Sequence, residues 1–339
     1  AQHPKQIFRR LPGIWISRGS GQEHLTAMRS PVLTGPGACG SFLILEDGIP
    51  VRPAGFCNVN GLFETAFEIS GGIEAITGPA SSRYGANAMH GVINVISKPI
   101  KDENNISTNL GPNGYRNIKA KLGNLSNWSL NVFSASNDGF REFSGYDQQK
   151  LNFKSSFQLK SWVASLNMTL TNLNQETAGY ITGLNSYKES NLNRKNLNPE
   201  AFRDANSQRM SLNLKREYEN GISILSPFFR KNDMQFLQHF LPGTPVEENR
   251  HISYGLLFKR FLNFEHYSLI GGLQIEMADA ELVETQANAL TTSSAFNNAT
   301  RPQGKHYDYE VDSKVYAAFL GIDNLYISCL LYTSPSPRD

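Results

Sequence analysis

Residues that could do chemistry are few in this sequence, and their spacing decides most of them. Gly35-Pro-Gly-Ala-Cys-Gly40 fits the pattern G-x-G-x-x-G of a phosphate-cradling loop. Such a loop needs a strand before it and a helix after it. Here the apolar run Ser41–Leu45 follows and Pro36 stiffens the turn, so it is read as a loop. In Glu46-Asp47-Gly48-Ile49-Pro50 the two carboxylates could form a catalytic pair or a cation site, but Asp-Gly before Pro is ordinary turn chemistry and is taken as that. The seven histidines are scattered, with no His-x-x-x-His, Cys-x-x-Cys or G-x-S-x-G, so neither a metal site nor a nucleophilic catalyst has a constellation. Cys39 and Cys57 flank Gly- and Pro-rich loops. In an oxidising compartment they would form a disulfide stabilising by roughly 3 kcal/mol, the alternative being two unrelated buried thiols.

The composition narrows the partners. With 32 Lys+Arg against 30 Asp+Glu the net charge is +2, and no basic run suggests a nucleic-acid groove. No stretch approaches the roughly 18 apolar residues of a membrane helix. A β-barrel in a membrane stays open, because alternation hides its apolar face from average hydropathy.

Two grammars divide the chain. Residues 1–102 are punctuated by Gly and Pro around short apolar runs. Residues 103–328 alternate with period two, as in Leu151-Phe153-Ser155-Phe157-Leu159 against Asn152, Lys154, Ser156, Gln158 and Lys160. Ten strands are expected, at about 104–110, 115–122, 128–136, 149–160, 162–172, 209–217, 222–232, 251–260, 267–278 and 306–320. Short turns alternate with longer connections at 137–148, 173–208, 233–250 and 279–305, the loop sorting of an outer-membrane barrel. A soluble β-sandwich shares the alternation without a reason to sort its loops. Trp128, Trp162 and Tyr267 each open an odd-numbered strand after a short turn, which places an aromatic girdle at one membrane interface.

Three motifs carry a family resemblance: Leu11-Pro-Gly-Ile14, Phe42–Val51 and the long ordered run Ile73–Lys98. Together they resemble the plug domain of TonB-dependent outer-membrane receptors. The resemblance implies an α+β plug followed by antiparallel transmembrane strands, about ten of an expected 22 or so. It implies a transporter of the Gram-negative outer membrane, not an enzyme and with no cofactor, taking up a scarce nutrient such as an iron–siderophore chelate. Its partners would be the TonB–ExbB–ExbD complex, the chelate and outer-membrane lipid.

By the same resemblance, plug apices fall near 29–37 and 50–60. Arg52, Phe56 and Asn58 could offer a chelate a cation, a stacking face and an amide, or could pack the plug against the wall. Arg29, with Arg83 nearby, could pair with barrel carboxylates. The sequence departs from the family pattern at Thr77, where an Arg usually precedes Gly-Pro, and shows neither a TonB box nor a signal peptide. Residues 329–339 read as a non-native tail, and the whole as a fragment. A passive porin or adhesin, or a secreted β-rich carbohydrate-active enzyme, are the competing readings.

Overall fold

Alternation, glycine placement and burial build two units in the computed structural model of the chain, which describes residues 3–30, 39–57, 60–124, 127–237 and 242–323. The expected tail at 329–339 lies outside the described residues. The first unit begins with helix α1 (Pro4–Phe8) and the antiparallel pair β1 (Ile14–Ile16) and β2 (Thr26–Met28). A four-stranded sheet follows, ordered β4-β3-β6-β5, from β3 (Phe42–Glu46), β4 (Ile49–Pro50), β5 (Gly72–Thr77) and β6 (Gly91–Ile96). β3 runs parallel to β6 at the sheet centre. It is covered on both faces, by Phe8, Met28 and Leu62 against Phe42 and Ile44, and by Ala80, Ala88 and Val92 against Leu43 and Leu45. That double burial explains its unbroken apolar run. Asp47 and Gly48 both have positive φ, 48° and 81°, the tight-turn conformation that joins β3 to β4 as a hairpin and projects the Glu46 and Asp47 carboxylates outward from the sheet end.

The second unit is one antiparallel meander in strict sequence order. Its strands are β7 (Asn105–Leu110), β8 (Arg116–Asn124), β9 (Trp128–Asn137), β10 (Tyr146–Leu159), β11 (Trp162–Glu176), β12 (Phe202–Tyr218), β13 (Gly221–Leu237), β14 (Pro245–Asn263), β15 (Ser268–Gln286) and β16 (Gly304–Asp323). Among the described residues β7 and β16 are the two edges, and the sheet does not close. Its faces are inverted relative to a soluble sandwich. On β10 the polar Gln148, Lys150 and Asn152 are buried against the first unit, while Phe157 and Leu159 on the other face are exposed. β15 repeats this, with Glu276 buried and Leu273 and Ile275 exposed. An apolar face left uncovered along ten strands is the face that meets lipid.

All ten strands lie where the alternation places them, but several are longer than expected. β12 starts at Phe202 rather than 209, β14 at Pro245 rather than 251, and β15 runs on to Gln286 rather than 278. These extensions mix polar with scattered apolar residues, as in Glu247-Glu-Asn-Arg250 and Asp279-Ala-Glu-Leu-Val-Glu284, so strict alternation gives no sign of them while the backbone pairing continues. The long connections shrink accordingly. Trp128 and Trp162 open β9 and β11, which run in the same direction. Their partners on β10, Ser155 and Leu159, show them stepped along the strands. Tyr267 sits instead in the turn before β15, stacked on Phe264 at 4.8 Å.

The inverted face is testable. In a chain completed with further strands that close the wall, replacing outward-facing Leu273 by Arg should lower folding stability in lipid vesicles by about 2–4 kcal/mol, read by urea titration of the folded, heat-modifiable band. An unchanged midpoint would mean that this face meets water.

Candidate functional site

The two units meet across a wall of buried charge, sorted by sign. Wall strands supply most of the cations and the first unit most of the carboxylates, Glu276 of the wall being an exception. Lys150 on β10 donates to Glu68 at 2.8 Å and to the Thr65 carbonyl at 2.7 Å, both side chains almost without solvent contact. Its ammonium also lies 4.7 Å from the centre of the Phe67 ring. Lys119 on β8 donates to the Glu68 carbonyl at 2.8 Å. Arg209 on β12 pairs with Glu46 at 2.9 Å and donates to the Glu64 carbonyl at 2.6 Å. Arg230 on β13 donates to the carbonyls of Pro50 and Arg52, at 2.8 and 3.0 Å, and pairs with Glu276 of β15 at 2.7 Å. Asp47 accepts from Ser97 at 2.6 Å and from Asn167 on β11, with Lys154 on β10 3.7 Å away.

An apolar patch completes the contact. Phe63, Ala66 and Ile69 pack against Phe133, Ala135, Leu173 and Ala205 of the wall. Two short 3-10 turns, Gly61–Glu64 and Phe67–Ile69, carry the alternating apolar and acidic residues that make this possible. Between Glu46, Arg209 and Arg230 a gap of about 20 Å³ remains, room for one water.

A third apex, residues 19–24, escaped the sequence reading. The Ser20 hydroxyl accepts from the backbone of Ala178 at 3.1 Å, the Gln22 amide donates to Gln175 at 2.8 Å, and Glu23 pairs with Arg203 on β12. Beneath it His3 and His24 lie edge to face, ring centres 6.0 Å apart. Burial pushes both down, His3 to about 3 and His24 to about 4; His24 lowers His3 further, and the charges of Arg203, Lys150 and Arg52 lower His24.

The residues singled out from sequence fall in different places. Cys39 and Cys57 are bonded, with Cα atoms 4.7 Å apart. Arg52 is buried and spent inside the first unit, on Glu64 and the Cys57 carbonyl. Burial opposes the charge on Glu64, but Arg52 and then Arg209 outweigh it and hold the carboxyl below the usual range. Phe56 is half-buried against His251 of β14, centroids 5.3 Å apart. Asn58, and most of the 29–37 apex, lie outside the described residues. Arg29 turns back on its own unit, its side chain against Gly13. Arg83 lies by Tyr84 and faces Lys259 on β14, a like charge. Among the described residues neither makes an ion pair. The sign of the contact is thus opposite to the expected one, with wall arginines reaching for carboxylates of the first unit. The available signal was a lysine or arginine recurring on the polar face of strands whose apolar face points outward, as at Lys150 and Arg209.

A wall apolar towards lipid and charged towards an inserted α+β domain defines a plugged outer-membrane barrel. The comparisons agree. Residues 1–92 match the TonB-dependent Receptor Plug Domain. The ferric citrate transporter FecA in its unliganded form superposes with a TM-score of 0.72 at 14% identity, over 95% of this chain and 51% of that one. FpvA of P. aeruginosa, bound to a heterologous pyoverdine and iron, gives 0.67 at 12% identity over 94% and 47%. The copper transporter OprC gives 0.65 at 13% identity over 93% and 48%. Residues 1–92 thus match the plug-domain model, and the chain as a whole shares the fold of these solved structures and spans about half their length.

Two outcomes are expected of this interface. Glu68→Gln should destabilise plug docking by about 3–5 kcal/mol, because it strands the Lys150 ammonium in a dry wall. The double variant Glu68→Gln with Lys150→Met should recover most of that loss, and urea midpoints of the two compare them directly. For pH, His3 and His24 are neutral in the fold but protonate in the unfolded chain below about 6.5. The unfolded chain therefore binds more protons there, and stability falls as pH drops from about 7 towards 4, by up to tenfold in the folding equilibrium per unit and per histidine. The Glu64 contribution persists over that range and is lost only below the ordinary carboxylate range. A urea midpoint that is flat from pH 7 to 5, or one whose slope His24→Gln leaves unchanged, would contradict this.

Proposed function

We propose that this chain is the plug and first ten strands of a receptor that takes up an iron–siderophore or similar chelate across the Gram-negative outer membrane, with energy drawn from TonB–ExbB–ExbD. The observation that carries the reading is the buried, sign-sorted contact between plug and wall. A passive pore has no use for an inserted domain held by charges this dry. A lumen wide enough to need a plug cannot be filled by wall side chains alone. Opening it means separating Lys150 from Glu68 and Arg209 from Glu46, which costs several kcal/mol per ion unless water replaces the partner. Binding of cargo returns no net work over repeated cycles, so an external source of energy fits the geometry. FecA, a ferric citrate transporter, and FpvA, bound to an iron–pyoverdine complex, support a ferric cargo, while OprC, a copper transporter, shares the fold.

The open edges at β7 and β16 bear on how the chain is handled. Unpaired backbone groups on a lipid-facing sheet cost several kcal/mol each, so further strands are needed to close the wall in a bilayer. The test follows. Expressed with strands that complete its barrel, in a Gram-negative host lacking its own ferric receptors, the protein should restore growth on a ferric chelate as sole iron source. Deleting tonB should abolish that growth. Growth that survives the deletion would favour a passive porin, and copper accumulation without iron uptake would move the cargo to copper.

A further inference from the structure

The end of the wall that carries the longer connections holds a feature that transport as such does not require. β15 and β16 pair in regular register until Glu284, which faces Tyr307, whereas Thr285 faces Lys305. His306 is the extra residue of this bulge. A bulge re-aims a side chain out of the ordinary alternation. The His306 side chain is 7% exposed, and both of its ring nitrogens meet acceptors. Nδ1 lies 2.9 Å from Glu284 Oε1, and Nε2 lies 2.7 Å from the carbonyl oxygen of Pro302.

A neutral imidazole has one N–H, so it can satisfy one of these contacts and must turn a lone pair towards the other oxygen. Both are satisfied when the pair holds one further proton, whether it rests on the imidazole or on Glu284. We propose that His306 and Glu284 form a proton-operated strap, which fixes the 287–303 connection to the barrel wall while that proton is bound and frees it when the proton leaves to water.

The surroundings make the strap the natural hinge of that connection. It carries helix α2 (Ala295–Thr300), and it is tied down at its far end by Arg301, whose guanidinium donates to the same Glu284 oxygen at 3.0 Å. Gln303 donates to the Ala287 carbonyl at 2.9 Å, closing the neck. Glu284 therefore serves two cations at one oxygen. Glu247 stands directly opposite it on β14, and Arg203 on β12 acts on Glu247 in turn. On β16 itself, Lys305 and Asp308 pair with each other. With the extra proton both His306 contacts are satisfied, and without it either the Pro302 or the Glu284 contact is lost while Arg301 keeps its own. The closed form binds one proton more than the open form, so the ratio of closed to open falls as pH rises, by at most tenfold per unit.

This stands apart from the transport reading, because the restraint on the connection is read with neither cargo nor energy source. The full chain in detergent micelles, carrying Phe296→Cys for a nitroxide label in a Cys329→Ser background, reports the mobility of α2 by electron spin resonance. From pH 5.5 to 8.5 the mobile fraction should rise severalfold, with at most a tenfold change per unit in the mobile-to-immobile ratio. His306→Gln should be mobile and flat across the range. His306→Lys, which keeps a cation beside Glu284, should stay restrained at pH 8.5. Equal mobility of the parent chain at both ends of the range would overturn the strap, as would a pH response that persists in His306→Gln. Should the Gln variant fail to fold, the parent titration and the Lys variant decide the matter.

Discussion

A charge taken out of water must meet its opposite, and in this protein that requirement falls on the wall of a barrel. Lys150, Arg209 and Arg230 stand on three different strands, each almost without solvent. None could be left there alone at less than several kcal/mol. Lys150 and Arg209 are answered only when Glu68 and Glu46 arrive at the right heights, and Arg230 only when the Pro50 and Arg52 carbonyls reach it beside Glu276. An apolar plug of the same volume would bind at least as tightly. Pairs of this kind contribute position, and they fix one register of plug against wall.

That demand reaches back into local structure. Glu46 and Asp47 face the wall because a left-handed Asp47-Gly48 turn ends β3 at the sheet edge. Glu64 and Glu68 face it because two single 3-10 turns present their acidic residues beside the apolar Phe63, Ala66 and Ile69. On the other side, period-two alternation places lysine and arginine inward wherever it places leucine and phenylalanine outward. One pattern thus satisfies the lipid and the plug together, and a shift of a strand by one residue would expose charge to lipid and strand its partner.

Much of this was legible in the sequence. The ten strands, their order of short and long connections, and the plug motifs all follow from period two, turn dipeptides and ordered runs such as Ile73–Lys98. Strand ends were less legible. Residues 202–208 and 245–250 break the strict alternation of the apolar band, and backbone pairing keeps the chain extended there. The site was the least legible. Glu46 and Asp47 read as turn residues, which they are, and their second role depends on Arg209 and Asn167 more than a hundred residues away. Arg52 resembled an exposed cation in a Gly- and Pro-rich loop, yet Glu64 claims it. Pairing across 163 residues leaves no local trace.

The Cys39–Cys57 bond has a topological meaning as well as a stabilising one. A polypeptide drawn lengthwise from its N-terminus runs out as one thread only as far as Cys39. Up to that point it can pay out about 3.3–3.6 Å per residue. Beyond it the chain is a closed ring, and within that ring lie the β3–β4 hairpin, Glu46, Asp47 and Arg52. No pull along the backbone can unravel a ring. It must be moved whole, as two strands side by side, or be opened first by a reductant. The bond therefore marks where the plug stops behaving as a string and starts behaving as a bead.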